Sequence, residues 1–79
     1  MSNKEKYDKA FMESFAIEQD KLAGLKYQDV TSWDSIGHMQ LMSALEEEFE
    51  IELDIDDIID FSSYEVGQEI LMKYKVEVS

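Results

Sequence analysis

The chain has no cysteine, no proline and no arginine, and only three glycines (Gly24, Gly37 and Gly67) in 79 residues. Without cysteine there is no disulfide frame, no thiolate metal site and no thiol nucleophile. A small domain that does without disulfides fits a reducing compartment, so a cytoplasmic location is expected. Cations are scarce: 7 lysines stand against 19 acidic residues, for a net charge of −12. Phosphate binding needs cationic side chains, which argues against a nucleic-acid partner and against an anionic membrane surface. No apolar run approaches membrane-spanning length, so no membrane insertion is expected. The opening residues, Met1-Ser2-Asn3-Lys4-Glu5-Lys6, are charged rather than signal-like.

What is present is a normal complement of apolar residues, 44%, enough for a folded domain. A chain this short buries only roughly 60% of its unfolded surface. That leaves room for one domain, residues 1–79, and not for a deep catalytic cleft as well; a monomer with no catalytic residues is expected. The charge is uneven. Residues 1–28 hold five lysines and five acids, residues 29–69 thirteen acids and no lysine, and residues 70–79 two lysines and one acid. Acidic runs are usually solvated faces. Forty-one consecutive residues without a cation cost stability through self-repulsion, which favours a binding role toward a basic protein surface.

Helical spacing dominates. A first helix is expected over Lys4–Glu18, with Tyr7, Ala10, Phe11 and Phe15 as its apolar stripe. A connection of about Gln19–Asp34 follows, broken at Gly24, with Leu22, Leu25, Tyr27 and Val30 packing it onto the domain. A second helix starts near Asp34-Ser35 and ends near Glu50. A short turn of helix at Asp56–Asp60, capped by Asp54 or Asp56, precedes a last helix over Ser63–Lys73, capped by Ser62 or Ser63. The fold expected is all-α, a small bundle of three main helices plus a short extra one.

On a helical wheel the second helix has two apolar faces. Leu41, Leu45, His38, Phe49 and Met42 form one stripe for the core. The opposite face is mostly acidic, with Glu46, Glu47 and Glu50, yet it carries Ile36 and Met39 in its first turn. Single exposed apolar residues are ordinary. Two of them near a helix start, ringed by glutamates, form a patch that a partner helix or groove can use.

A serine at a helix start is most often a cap. Here Asp34 and Ser35 stand in tandem; if Asp34 caps, the Ser35 hydroxyl is spare and points outward. A phosphate ester there would lie near the positive end of the helix dipole. A hydrolase elbow needs glycine two residues to either side of the serine, and Trp33 occupies one of those positions. Asp54 to Glu65 has the length of a calcium loop, but Ile58 and Ile59 stand where a ligand and a glycine are required. No metal site is expected.

Asp34-Ser35-Ile36, the later stretch Leu41-Met42-Ser43-Ala44-Leu45-Glu46-Glu47-Glu48-Phe49, and Ile51-Glu52-Leu53 resemble the acyl carrier protein family. The resemblance extends over nearly the whole chain, through Phe61-Ser62-Ser63-Tyr64 to the last helix. It implies that Ser35 is the attachment point of 4′-phosphopantetheine, transferred from coenzyme A by a separate, magnesium-dependent phosphopantetheinyl transferase, with Asp34 as the acidic residue before it. The arm's thiol would carry acyl groups as thioesters. Ile36, Met39, Glu46 and Glu47 match partner-contacting positions, for a transferase and for acyl-loading and acyl-using enzymes with basic docking surfaces. Leu45, Phe49, Ile59 and Phe61 are candidates for the wall of an acyl pocket, with simple core packing equally open. Ile36 stands where leucine is more usual, and Gly37-His38 and Leu53-Asp54-Ile55-Asp56 depart from the pattern of fatty-acid synthesis carriers. A dedicated carrier of a specialised pathway is therefore expected. The alternative is an unmodified acidic helical adaptor that binds a basic protein partner.

Overall fold

The structure is a computed structural model that describes residues 2–78. The helices are α1 (Asn3–Phe15), α2 (Ser35–Phe49), α3 (Ile55–Asp60) and α4 (Tyr64–Met72), with a 3₁₀ turn at Gln19–Lys21. There is no strand among the described residues, only an isolated antiparallel bridge between Lys26 and Ser63. No helix among them is long and apolar enough to cross a membrane. The all-α expectation holds.

Helix α1 begins one residue before the expected Lys4 and ends at Phe15, the last residue of its apolar stripe, short of the expected Glu18. Ser2 and Glu5 form a reciprocal capping box that fixes its start. At the other end Ala16 turns left-handed, with φ 54°, and the Ile17 N–H bonds back to the Met12 carbonyl at 3.2 Å. This six-to-one closure, on a carbonyl that also accepts the Ala16 N–H, stops the helix. Helix α2 ends in the same way, with Glu50 left-handed and the Ile51 N–H on the Glu46 carbonyl at 3.0 Å. Asp54 stands at the start of α3, but its side chain makes no capping hydrogen bond. Ser63 rather than Ser62 caps α4, accepting from the Val66 N–H at 3.0 Å.

The core is aromatic at one end. Phe11 lies within 5.0–6.1 Å, ring centre to ring centre, of Tyr7, Phe15, Trp33, Phe61 and Tyr64. Helix α2 adds Leu41, Met42 and Leu45, all buried. The tail beyond α4 also turns inward, burying Val76 and Val78. Gly67 lets α4 approach this cluster: a Cβ there would stand 2.2 Å from both the Phe61 ring and the Tyr7 hydroxyl.

Two buried carboxylates fasten the elements together. Asp8 on α1 accepts from Lys4 at 3.0 Å, from Gln19 at 3.1 Å and from the Tyr64 hydroxyl. Asp57 on α3 accepts from Lys73 and from the Tyr74 hydroxyl. The long connection is pinned by two backbone bonds, Tyr27 N–H to the Ser62 carbonyl at 2.9 Å and Tyr64 N–H to the Leu25 carbonyl at 2.8 Å. These bonds hold the connection against the α3–α4 junction and so bring its last residues to the start of α2.

Candidate functional site

Trp33, fully buried, anchors the entry to α2, its ring stacked on Phe15 at 5.1 Å. Asp34 follows as the cap, its Oδ1 accepting the Gly37 N–H at 2.8 Å. With that donor satisfied, Ser35 takes the first helical position. Its side chain is exposed, and its hydroxyl has no hydrogen-bond partner among the described residues. Gly37 makes the entry possible: a Cβ there would stand 1.9 Å from the Ser32 carbonyl oxygen. The Ser32 hydroxyl in turn donates to the Phe15 carbonyl at 2.9 Å, fixing that segment to the end of α1.

Beside Ser35, Ile36 is 70% exposed and Met39 51% exposed. With Gln40, Ser43, Ala44 and Glu47 they line a shallow groove along the outer face of α2. The structure thus brings Ile36, Met39 and Glu47 together. Glu46 stands apart from them, half-buried, its Oε2 accepting the Leu53 N–H at 2.8 Å. That carboxylate holds the α2–α3 connection.

On the other side of Ser35 a cavity of about 330 Å³ opens between α2 and α3. Ile58, Ile59, Phe61, His38, Met39 and Tyr27 form most of its lining. Of the four pocket candidates, Ile59 and Phe61 are at this cavity. Leu45 and Phe49 are not among its lining residues: Leu45 is fully buried and Phe49 half-buried against the core, farther along α2. Ile58, which the sequence marks as core or pocket wall, is also there, whereas Tyr27 is not signalled, because a pocket wall contributed by a loop leaves no periodic pattern. His38 was placed on the inner face of α2, and only the position of α3 makes that face a cavity wall.

His38 is held at both ring nitrogens. Trp33 Nε1 can only donate, so His38 Nδ1 accepts from it, at 3.0 Å. Nε2 therefore carries the proton and donates to the Ile58 carbonyl at 2.7 Å. With these two partners the ring, carried on α2, reaches across to α3.

A 4′-phosphopantetheine group fits the residues at Ser35. The hydroxyl is exposed and without a partner among the described residues, and a phosphodiester there would lie at the positive end of a fifteen-residue helix. A family model described as the phosphopantetheine attachment site matches residues 33–65, from Trp33 to the first turn of α4. No curated protein matches the chain. The match and the all-α fold agree: residues 33–65 are similar to a phosphopantetheine attachment site, the site of covalent 4′-phosphopantetheine, which supports a phosphopantetheine-carrying protein and is consistent with the acyl carrier protein family.

Proposed function

We propose that Ser35 is the attachment point and that the chain carries acyl groups for a specialised biosynthetic pathway in the cytoplasm. The observation that carries this reading is the Ser35 hydroxyl, exposed and without a partner among the described residues because Asp34 does the capping. Attachment forms the Ser35 Oγ–P bond as the pyrophosphate P–O bond of coenzyme A breaks. Asp34 keeps the first turn of α2 in place during transfer. Once attached, the arm supplies a thiol on which acyl groups are held as thioesters. A tether raises the local concentration of its cargo at any enzyme the carrier docks on.

Ile36 and Met39 offer partner enzymes an apolar centre, with Glu47 as a charged flank for a basic surface. The cavity lined by Ile58, Ile59 and Phe61 receives a short acyl chain.

Intact mass, before and after incubation with coenzyme A, magnesium and a broad-specificity transferase, tests the attachment. Wild type is expected to gain one phosphopantetheine. Ser35→Ala is expected to gain none while keeping its helical spectrum, since Asp34 still caps. Folded wild type that gains no mass with several such transferases would overturn the assignment.

A further inference from the structure

Three parts of the molecule meet at one side chain. The Trp33 indole and the His38 imidazole lie edge to edge and nearly coplanar, 6.2 Å between centroids and 15° between planes, and the indole donates its N–H to the imidazole. The opposite nitrogen reaches the Ile58 carbonyl of α3. No other side-chain hydrogen bond joins α2 to α3 among the described residues. The same imidazole lines the α2–α3 cavity, where Tyr27 and Phe61 meet it edge-on at 5.6 and 6.1 Å. Trp33, fully buried, lies two residues before Ser35, with the cap Asp34 between them.

A group that enters the cavity meets the imidazole directly. Any displacement of α3 that admits it acts on the imidazole again, through the Ile58 carbonyl. Trp33 has no room to absorb such a movement, because close-packed interiors transmit strain. We propose that His38 is a positioning residue coupling occupancy of the α2–α3 cavity to the Trp33-Asp34-Ser35 segment. A carrier with its acyl group in the cavity then presents the Ser35 segment differently from one with the cavity empty, and a docked enzyme can tell them apart. This rests on Ser35 as the attachment point and on the cavity as the acyl site.

The chain's one tryptophan gives a direct readout, the indole N–H resonance of Trp33. It is compared between the phosphopantetheine form and the butyryl-loaded form of full-length protein, each confirmed by intact mass. Ile59 and Phe61 resonances report cavity occupancy in the same spectra. His38→Gln retains an acceptor and a donor on one planar group, whereas His38→Phe retains a ring and loses both. Loading is expected to shift Ile59, Phe61 and Trp33 together in wild type. The Trp33 shift is expected to survive in His38→Gln and to be lost in His38→Phe, with Ile59 and Phe61 still responding.

Shifts at Ile59 and Phe61 without one at Trp33 in wild type would overturn the coupling alone. So would a Trp33 response that persists in His38→Phe. Confirmed loading that leaves Ile59 and Phe61 unmoved would overturn the cavity reading, and the coupling with it. Failure to load Ser35 at all would overturn the attachment assignment and both inferences built on it. The wild-type comparison stands by itself if His38→Phe does not fold.

Discussion

A Cβ on Gly37 would overlap the Ser32 carbonyl, a backbone atom that cannot swing aside as the end of a side chain can. In an open helix, Gly→Ala gains roughly 1 kcal/mol of propensity. Here that gain is opposed by an overlap whose relief displaces the Ser32–Asp34 segment, at a cost of about 1–3 kcal/mol. Gly37→Ala is therefore expected to be net destabilising. Each kcal/mol lost lowers the melting temperature of a domain this size by roughly 4–8 °C, and transfer of phosphopantetheine to the displaced Ser35 should slow as well. A variant as stable as wild type and modified at the same rate would refute the argument. At the neighbouring position, Asp34→Ala removes the acceptor of the Gly37 N–H and is expected to cost about 1 kcal/mol. Asp34→Asn, which keeps an acceptor, should lose much less in the same thermal melts.

At the scale of elements, α3 depends on its fastenings. Six residues are too few for a helix to persist alone in water, and Ile55 and the cavity-lining Ile59 are each 72% exposed. It is held by His38 in front and by the Asp57–Lys73–Tyr74 group behind. The hydrogen bond from Lys73, and after it the one from Tyr74, keeps the Asp57 carboxyl below its ordinary range. A depressed carboxylate stabilises the fold above its unfolded pKa of about 3.9 and loses that contribution as pH falls through its folded value. Acidification below about pH 4 should therefore loosen α3 in wild type, seen as faster amide exchange at Ile58–Asp60. In Asp57→Asn that acid-dependent part should be absent, with exchange already raised at neutral pH. An equal acid response in both proteins would remove Asp57 from the account.

At the scale of the whole molecule, the net charge of −12 sits on a globule with extents of 29 × 27 × 19 Å. The ion pairs among the described residues are Lys4–Asp8, Lys9–Glu13 and Lys73–Asp57. Of the thirteen acids in residues 29–69, Asp57 alone has such a partner. Like charges lie closer in the folded state than in the unfolded chain, so screening should stabilise the fold. Raising ionic strength from 0.01 to 0.15 M shortens the Debye length from about 30 to 8 Å. The melting temperature is expected to rise over that range. A fall would mean that the three ion pairs outweigh the repulsion.

Helical period, cap chemistry and charge are local properties of the chain. The order of the helices, the inner stripe of α2 and the outward pair Ile36 and Met39 were therefore legible before any coordinates. So was the spare hydroxyl of Ser35, because two capping residues in tandem leave one unused. The end of α2 near Glu50 was legible too, but the end of α1 was not, since Ala16 turns left-handed without the glycine that usually signals it. The cavity beside Ser35 was legible only in part: Ile59 and Phe61 are there, but Leu45 and Phe49 are taken up by the core. Tyr27, His38 and Ile58 come from a loop, a helix and a second, shorter helix, and no spacing along the chain relates them. Tertiary packing alone decided that Glu46 turns inward to the Leu53 N–H, that Gly37 is required by the Ser32 carbonyl, and that His38 joins Trp33 to α3. Each of those contacts depends on where a distant segment comes to rest, and that is set by burial of the aromatic core rather than by any local preference.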